Sequence, residues 1–285
     1  METFIYVVFF ITSMLEEIID KIQNDSLDLS EAGLKIKGAL AKFALTEISK
    51  IPEFIDCFVL QGGNALHLVY QSPRLTRDLD FTTSKSNSFD SITNIISSLQ
   101  HNLALYNISV YLQKNEDNFK RIKLKFKYKE QDLSLNLELC NVISHVHKKT
   151  VTEYGAFFVE DTSELFVDKI VASLDRMKHK NILKETDIFD LYYLSEKYST
   201  TGFGGALLKK KLSEYNLSVR CSDFDNIVFH LKNTANRGNF ERYFKQYLPK
   251  EVLESLDISA VLLKAEEIFK YAKRQYSMYG SKKSR

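Results

Sequence analysis

The sequence predicts an α+β chain, with an amino-terminal half that mixes strands and helices around one sheet and a carboxy-terminal half made of helices alone. Three observations predict it. Phe58 to Gln61 is a short apolar run that enters a Gly62-Gly63 turn and a helix, and Leu79 and Phe81 belong to a second apolar run carrying two aspartates. Three stretches between residues 110 and 142 alternate apolar and polar with period two, the mark of strands buried on one face. From Thr162 onward the period becomes 3.6 and stays there. The change places the boundary near 150 to 162.

Taken in order, the chain begins with an apolar run from Phe4 to Ile11, about eight residues where roughly twenty are needed to cross a bilayer. It has neither the basic leader nor the small-residue cleavage site of a signal peptide. Met14 opens a clean amphipathic pattern, so residues 1–13 are expected to be an upstream extension and residues 1–29 an amino-terminal helix. Leu15 to Ile48 reads as two helices with a break near Asn24 to Ser30, and Pro52 as the end of that segment. Ile92 to Leu103 is a further helix. Val110–Leu112, Arg121–Tyr128 and Leu133–Val142 are the period-two strands. Glu164–Arg176, Asp187–Tyr198, Gly205–Tyr215, Ser222–Thr234, Phe240–Tyr247 and Leu253–Tyr279 are the helices of the second half. Residues 30–160 and 161–285 are therefore the expected divisions.

Composition narrows the function without naming it. The chain has 285 residues, 44% hydrophobic and 27% charged, enough to bury a substantial core. Thirty-nine basic residues against thirty-seven acidic leave a formal charge of +2, so any nucleic-acid surface must be local. Cys57, Cys140 and Cys221 lie far apart without metal-ligand spacing, which argues against a disulfide framework or structural zinc and reads as buried thiols in a reducing compartment. His145 and His147 have no third ligand in sight and are not read as a metal pair.

The chemistry concentrates at the Gly-Gly turn and the acidic run. Glycine takes backbone angles closed to other residues and lets a ligand approach the main chain. The N–H groups of the helix opening near Asn64, with its dipole, favour an anion, and a triphosphate fits. Asp78 and Asp80 stand two apart, so on a strand they project together while Leu79 and Phe81 face the core. Two adjacent carboxylates repel unless a cation lies between them, and such hard oxygens suit Mg2+ or Mn2+. In Leu133–Leu139 the leucines occupy one face and Ser134, Asn136 and Glu138 the other. Glu138 is the natural third carboxylate of a metal site.

Gly62-Gly63-Asn64-Ala65-Leu66, followed by Arg74-x-Thr76-x-Asp78-Leu79-Asp80-Phe81, resembles the signature of the AbiEii/AbiGii-type nucleotidyltransferase toxins of abortive-infection and toxin–antitoxin systems. Phe166–Arg176 with Lys169, and then Asp187-Ile-Phe-Asp190, looks like that family's helical motifs, and the similarity runs from about residue 30 to 250. The resemblance implies a polymerase-β-like nucleotidyltransferase fold, a mixed sheet flanked by helices in residues 30–160 and a helical domain in 161–285 completing the active site. It implies a nucleoside triphosphate at Gly62, Gly63 and Asn64, metal on Asp78 and Asp80, and nucleotidyl transfer to an acceptor such as tRNA. A separate antitoxin protein is implied as partner. The chain departs from the pattern twice. Asn64 stands where Ser or Thr is usual, and Thr186 where an arginine often precedes the first aspartate of the last motif.

In that chemistry Asp78, Asp80 and Glu138 hold metal, with Glu138 also open to the role of proton acceptor, and Lys169 contacts phosphate as a point charge. Asp187 or Asp190 orients Lys169 or the acceptor, and spacing does not choose between them. Arg74, Thr76 and Arg77 either contact the triphosphate or line the turn. Lys178–Lys180, Lys209–Lys211, Lys273-Arg274 and Lys282-Lys283, with Tyr271 and Tyr276 for stacking, are candidates for an RNA track. Cytoplasmic reactants and the missing signal point to the cytoplasm. Two alternatives remain: a non-catalytic nucleotide- or partner-binding protein on the same fold, and a nucleotidyltransferase acting on a protein or small molecule.

Overall fold

The computed structural model describes residues 16–281 except 23, 25–28, 87, 129–130, 199–203 and 234–236. The expected extension at residues 1–13 and the Lys282-Lys283 cluster lie outside the described residues. The chain forms two compact units, residues 1–71 with 75–160, and residues 72–74 with 161–285.

The first unit is built on a seven-stranded mixed sheet of order β3-β4-β5-β2-β1-β7-β6. Its elements are α1 (16–22), α2 (Leu29–Ile48), α3 (Pro52–Cys57), β1 (Phe58–Gln61), α4 (Gly62–Leu68), β2 (Leu79–Thr83) and α5 (Ile92–Ala104). Strands β3 (Ile108–Glu116), β4 (Phe119–Tyr128), β5 (Gln131–Ile143), β6 (His147–Thr152) and β7 (Gly155–Glu160) follow. β2 runs antiparallel to β1 and parallel to β5. Period-two alternation decides the faces. Ile122, Leu124 and Phe126 of β4 and Leu135, Leu137 and Leu139 of β5 are buried, while the residues between them look outward. Leu40, Phe43 and Ala44 of α2 and Leu103 of α5 close over Ile108, Leu124, Phe126 and Leu135, so the helices cover the apolar face.

The second unit is helical: α6 (Thr162–Lys180), α7 (Glu185–Tyr198), α8 (Gly205–Glu214), α9 (Cys221–Lys232), α10 (Arg237–Tyr247), α11 (Lys250–Ser255) and α12 (Ile258–Ser281). Asp161 caps α6 by accepting from the Ser163 N–H at 2.9 Å, and Asn181 ends it in the left-handed conformation with φ 52°. Ile170, Leu174, Ile188, Leu191, Leu208, Phe224, Val261 and Phe269 are fully buried between these helices. Burying each large apolar side chain contributes about 1.5–3 kcal/mol.

Four expectations need correction. Pro52 opens a short helix instead of closing one, because its fixed φ suits the first helical position and its missing N–H is not needed there. The hairpin β6–β7 carries no clean alternation and went unpredicted. Leu253–Tyr279 is two helices: Leu256 is extended, and the Asp257 carboxylate then accepts from the Ser259 N–H at 2.8 Å to start α12. Among the cysteines only Cys57 is buried; Cys140 is half-buried and Cys221 exposed, all three as free thiols.

Candidate active site

The Gly-Gly turn sits where β1 becomes α4. Gly62 has φ +70°, a left-handed conformation that costs other residues free energy. A Cβ there would lie 2.4 Å from Asp80 Oδ2 and 3.0 Å from Asp80 Cβ. The glycine therefore lets the Asp80 carboxylate lie directly against the main chain of the turn. Gly63 is buried behind it. Asn64, 2% exposed, donates from Nδ2 to the Asp78 carbonyl at 2.6 Å. That bond ties the turn to the acidic segment and uses one of the amide's two N–H donors.

Asp78 lies in the bend immediately before β2, and Asp80 is the second residue of the strand. Asp80 is flanked in register by Gln61 of β1 and Glu138 of β5. Directly opposed residues in a sheet project to the same face, so Glu138 stands beside Asp80. Asp78 joins them, because its Oδ1 accepts from Asn136 Nδ2 at 2.9 Å and Asn136 is two residues before Glu138 on β5. Glu138 is held in turn by Arg121 of β4, with Nε 2.8 Å and Nη2 2.7 Å from Oε1. Each of Asp78 and Glu138 thus has one oxygen fixed by an amide or guanidinium. Three carboxylates project from one sheet face, two of them braced, and hard oxygens of this kind suit a divalent cation, although their ligand oxygens do not all lie within 4.8 Å of one another. Thr76 is 7% exposed and its Oγ1 has no hydrogen-bond partner, a cost of about 1–3 kcal/mol that a bound ligand or water would relieve. Arg77 is exposed.

The helical unit carries a second set of charges. Arg74 is buried and forks onto Asp190, Nε to Oδ1 at 2.6 Å and Nη2 to Oδ2 at 2.8 Å. Its guanidinium is engaged in that bidentate pair. Lys169 Nζ lies 2.7 Å from Asp190 Oδ2 and 3.1 Å from Asp187 Oδ1, and Arg176 pairs with the other oxygen of Asp187. Burial works against the Lys169 charge, but Asp190 and then Asp187 outweigh it and hold the ammonium above its usual pKa. Burial likewise works against the two carboxylates and is outweighed. Lys169, Arg176 and Lys184 pull Asp187 well below the carboxylate range, and Arg74 and Lys169 do so for Asp190. Lys184 at the margin has its pKa lowered by desolvation and by Lys169, Arg176 and Arg74, with Asp187 opposing. Beside it the Glu185 carboxyl is pushed up, first by desolvation. By formal charge Arg74, Lys169, Arg176 and Lys184 exceed Asp187, Asp190 and Glu185 by one, a balance compatible with phosphate. Thr186, at the position where the family pattern often has arginine, is buried with its hydroxyl unpartnered.

Asp78, Asp80, Glu138, Gly62, Gly63 and Asn64 are therefore brought together in the first unit, and Lys169, Asp187, Asp190 and Arg74 in the second. Sequence reasoning gave no role to Arg121, Asn136 or Arg176. Arg121 and Asn136 were legible only as outward positions of alternating strands, and their partners depend on strand register. Some members of the basic clusters expected to form an RNA track in the helical half are engaged elsewhere. Lys211 is fully buried, 2.5 Å from Glu164 Oε1 and 3.0 Å from Asp168 Oδ2. Lys178 donates to the Ser218 carbonyl, Lys273 lies 2.7 Å from Asp225, and the Tyr276 hydroxyl donates to the Val219 carbonyl at 2.9 Å.

A glycine turn packed on a carboxylate strand of a mixed sheet, followed by helices, is the architecture of a nucleotidyltransferase. The family model described as nucleotidyl transferase AbiEii toxin, type IV toxin–antitoxin system, matches residues 44–262. The chain belongs to that family and is a nucleotidyltransferase. Among solved structures it is similar to MenT4, a nucleotidyltransferase toxin from Mycobacterium tuberculosis H37Rv, with 9% identity, 93% of this chain and 92% of that one covered, and a TM-score of 0.59. It is also similar to JHP933 from Helicobacter pylori, with 17% identity, 90% and 99% coverage, and a TM-score of 0.49. No curated protein sequence matches it. No described helix is long and apolar enough to cross a membrane.

Proposed function

We propose that the chain transfers a nucleotidyl group from a nucleoside triphosphate to the end of an RNA acceptor such as tRNA, with Mg2+ or Mn2+, as a cytoplasmic toxin restrained by a separate antitoxin. The observation that carries this reading is the register of Asp80 beside Glu138, with Asp78 locked to the same face through Asn136. Asp78, Asp80 and Glu138 would hold the divalent ion. A divalent ion held by them would supply Lewis-acid neutralisation of the charge on the transferring group. The protein's own groups do the rest. Gly62 admits Asp80 to the turn, and its N–H neighbours are assigned to the triphosphate. Asn64 and Asn136 fix Asp78, and Arg121 fixes Glu138, so the carboxylates are arranged before any ligand arrives. Glu138 Oε2, the oxygen that Arg121 leaves open, either joins Asp78 and Asp80 at the ion or accepts the proton of the attacking hydroxyl. In the helical unit, Asp187 and Asp190 position Lys169 and keep it charged, and the net-positive cluster around it suits phosphate. Both aspartates act on Lys169, so the choice between them that spacing left open has no single answer.

The test is incubation of the protein with each α-labelled nucleoside triphosphate, magnesium and total RNA, with chelator and Asp80→Asn controls. Label entering RNA with wild type alone and disappearing with chelator supports the reading. Label in protein or a small molecule replaces the acceptor, and no labelled product with any triphosphate removes the catalytic reading in favour of a nucleotide-binding role.

A further inference from the structure

The polar face of β4 carries four cations in succession, Arg121, Lys123, Lys125 and Lys127, with Ile122, Leu124 and Phe126 buried on the other side. Register fixes where that row points. Arg121 opposes Glu138 and bonds to it, and Lys123 opposes Asn136, whose amide holds Asp78. The row therefore lies on the carboxylate face and begins next to the carboxylates. Lys125 then opposes Ser134 and Lys127 opposes Asp132. Alternate residues on a strand repeat at about 6.6 Å, so the row extends for about 20 Å at a spacing commensurate with successive phosphates of an extended strand. On the β3 side, Tyr111 opposes Lys123, is 50% exposed, and has the Lys125 ammonium 5.6 Å from its ring centroid.

A basic strand is often only a solvated one, but two features argue against that here. β4 is an interior strand, so its lysines do not serve to block edge-to-edge pairing. Among the described residues Lys123, Lys125 and Lys127 form no ion pair with a carboxylate, and against the three lysines the facing residues of β5 supply one acidic side chain, Asp132, so positive charge is in excess on this face. An anion spanning the lysines would offset that excess, and an exposed aromatic ring beside a phosphate track is how sequence-tolerant single-strand binders hold bases.

We infer that the β4 face is a track for the single-stranded end of an RNA. Lys127, Lys125 and Lys123 would take successive phosphates and Tyr111 a base, and the terminal residue would arrive at Arg121 and the carboxylates. The inference rests on the RNA-acceptor reading above and moves the RNA surface from the helical half to the sheet.

The experiment is fluorescence anisotropy with a labelled, unstructured 12-nucleotide RNA, titrated over a range of salt without nucleoside triphosphate. Each phosphate contact to a single strand contributes about 0.7 to the salt slope, so Lys123→Ala/Lys125→Ala/Lys127→Ala is expected to lower the slope by about 2 and to weaken binding about a hundredfold at 0.1 M salt. Tyr111→Ala should weaken binding about tenfold and leave the slope unchanged. Lys125→Glu, in a strand otherwise intact, provides a single-site check and should weaken binding at least tenfold. Wild-type affinity and slope in the folded variants overturns the track, as does failure of the wild type to bind the probe. Catalysis does not enter this measurement. A wild type that labels RNA but whose affinity ignores these residues refutes the track and leaves the acceptor reading standing.

Discussion

Gly62→Ala is the perturbation that isolates the pre-arranged carboxylate. An alanine at φ +70° costs about 1–2 kcal/mol of backbone strain. Its methyl group would also start 2.4 Å from Asp80 Oδ2, whereas ordinary contact begins at 3.4 Å, so the carboxylate must retreat by about 1 Å. Displacement of a reacting or metal-holding group by that distance costs about a hundredfold in rate. The variant is therefore expected to remain folded, to lose about 1–2 kcal/mol in urea denaturation, and to lose about a hundredfold in kcat for label transfer. Gly155→Ala is the control. It too has positive φ, +121°, and its Cβ would meet Ser49 Cβ at 2.3 Å, remote in sequence from the acidic strand. It should lose stability while the folded fraction keeps its kcat. A Gly62→Ala enzyme working within threefold of wild type, or one impaired no more than Gly155→Ala, would refute the claim that the Asp80 position against the turn matters for the reaction.

Lys169→Met removes the counter-charge that Asp187 and Asp190 share while Arg176 and Arg74 remain on them, and should destabilise the protein by about 1.5–3 kcal/mol, measured by urea titration at pH 7. Both aspartates have folded pKa values below the unfolded value of about 3.9. Their contribution to stability is therefore complete above about pH 5 and is lost as pH falls through the folded values, and the wild-type stability curve should drop there while Asp187→Asn/Asp190→Asn shows a shallower fall. Lys211→Met should cost about 3–5 kcal/mol by removing the buried ammonium that Glu164 and Asp168 share, yet leave the salt slope of RNA binding unchanged because the side chain is buried. A reduced slope in that variant would restore the Lys209–Lys211 cluster to the RNA surface.

The sequence made some parts of this molecule legible and hid others for physical reasons. Period-two runs between 110 and 142 and the 3.6 period after Thr162 exposed the sheet and the helices, because one-sided burial writes itself directly into local spacing. The Gly62-Gly63 turn and the Asp78-Leu79-Asp80 run were visible for the same reason. The β6–β7 hairpin was not, since its outward side is an irregular mix of His, Lys, Thr and Val. Arg121 and Asn136 were hidden because their roles arise from register: nothing within β4 says that residue 121 will face residue 138. Arg74 shows the limit most clearly. Its place between the turn and the acidic strand left it either contacting the triphosphate or lining the turn, and nothing local announced its pairing with Asp190, 116 residues away. Lys211 is a second case, a lysine in a basic run that is fully buried.

The central claim is that Asp78, Asp80 and Glu138 form one metal-dependent nucleotidyl-transfer site. The most direct measurement is transfer of label from an α-labelled nucleoside triphosphate to RNA by wild type and by Asp80→Asn, each with and without magnesium. Transfer that requires both magnesium and Asp80, with RNA affinity preserved in the variant, is the predicted result. Transfer that persists in Asp80→Asn, or proceeds in chelator, contradicts it.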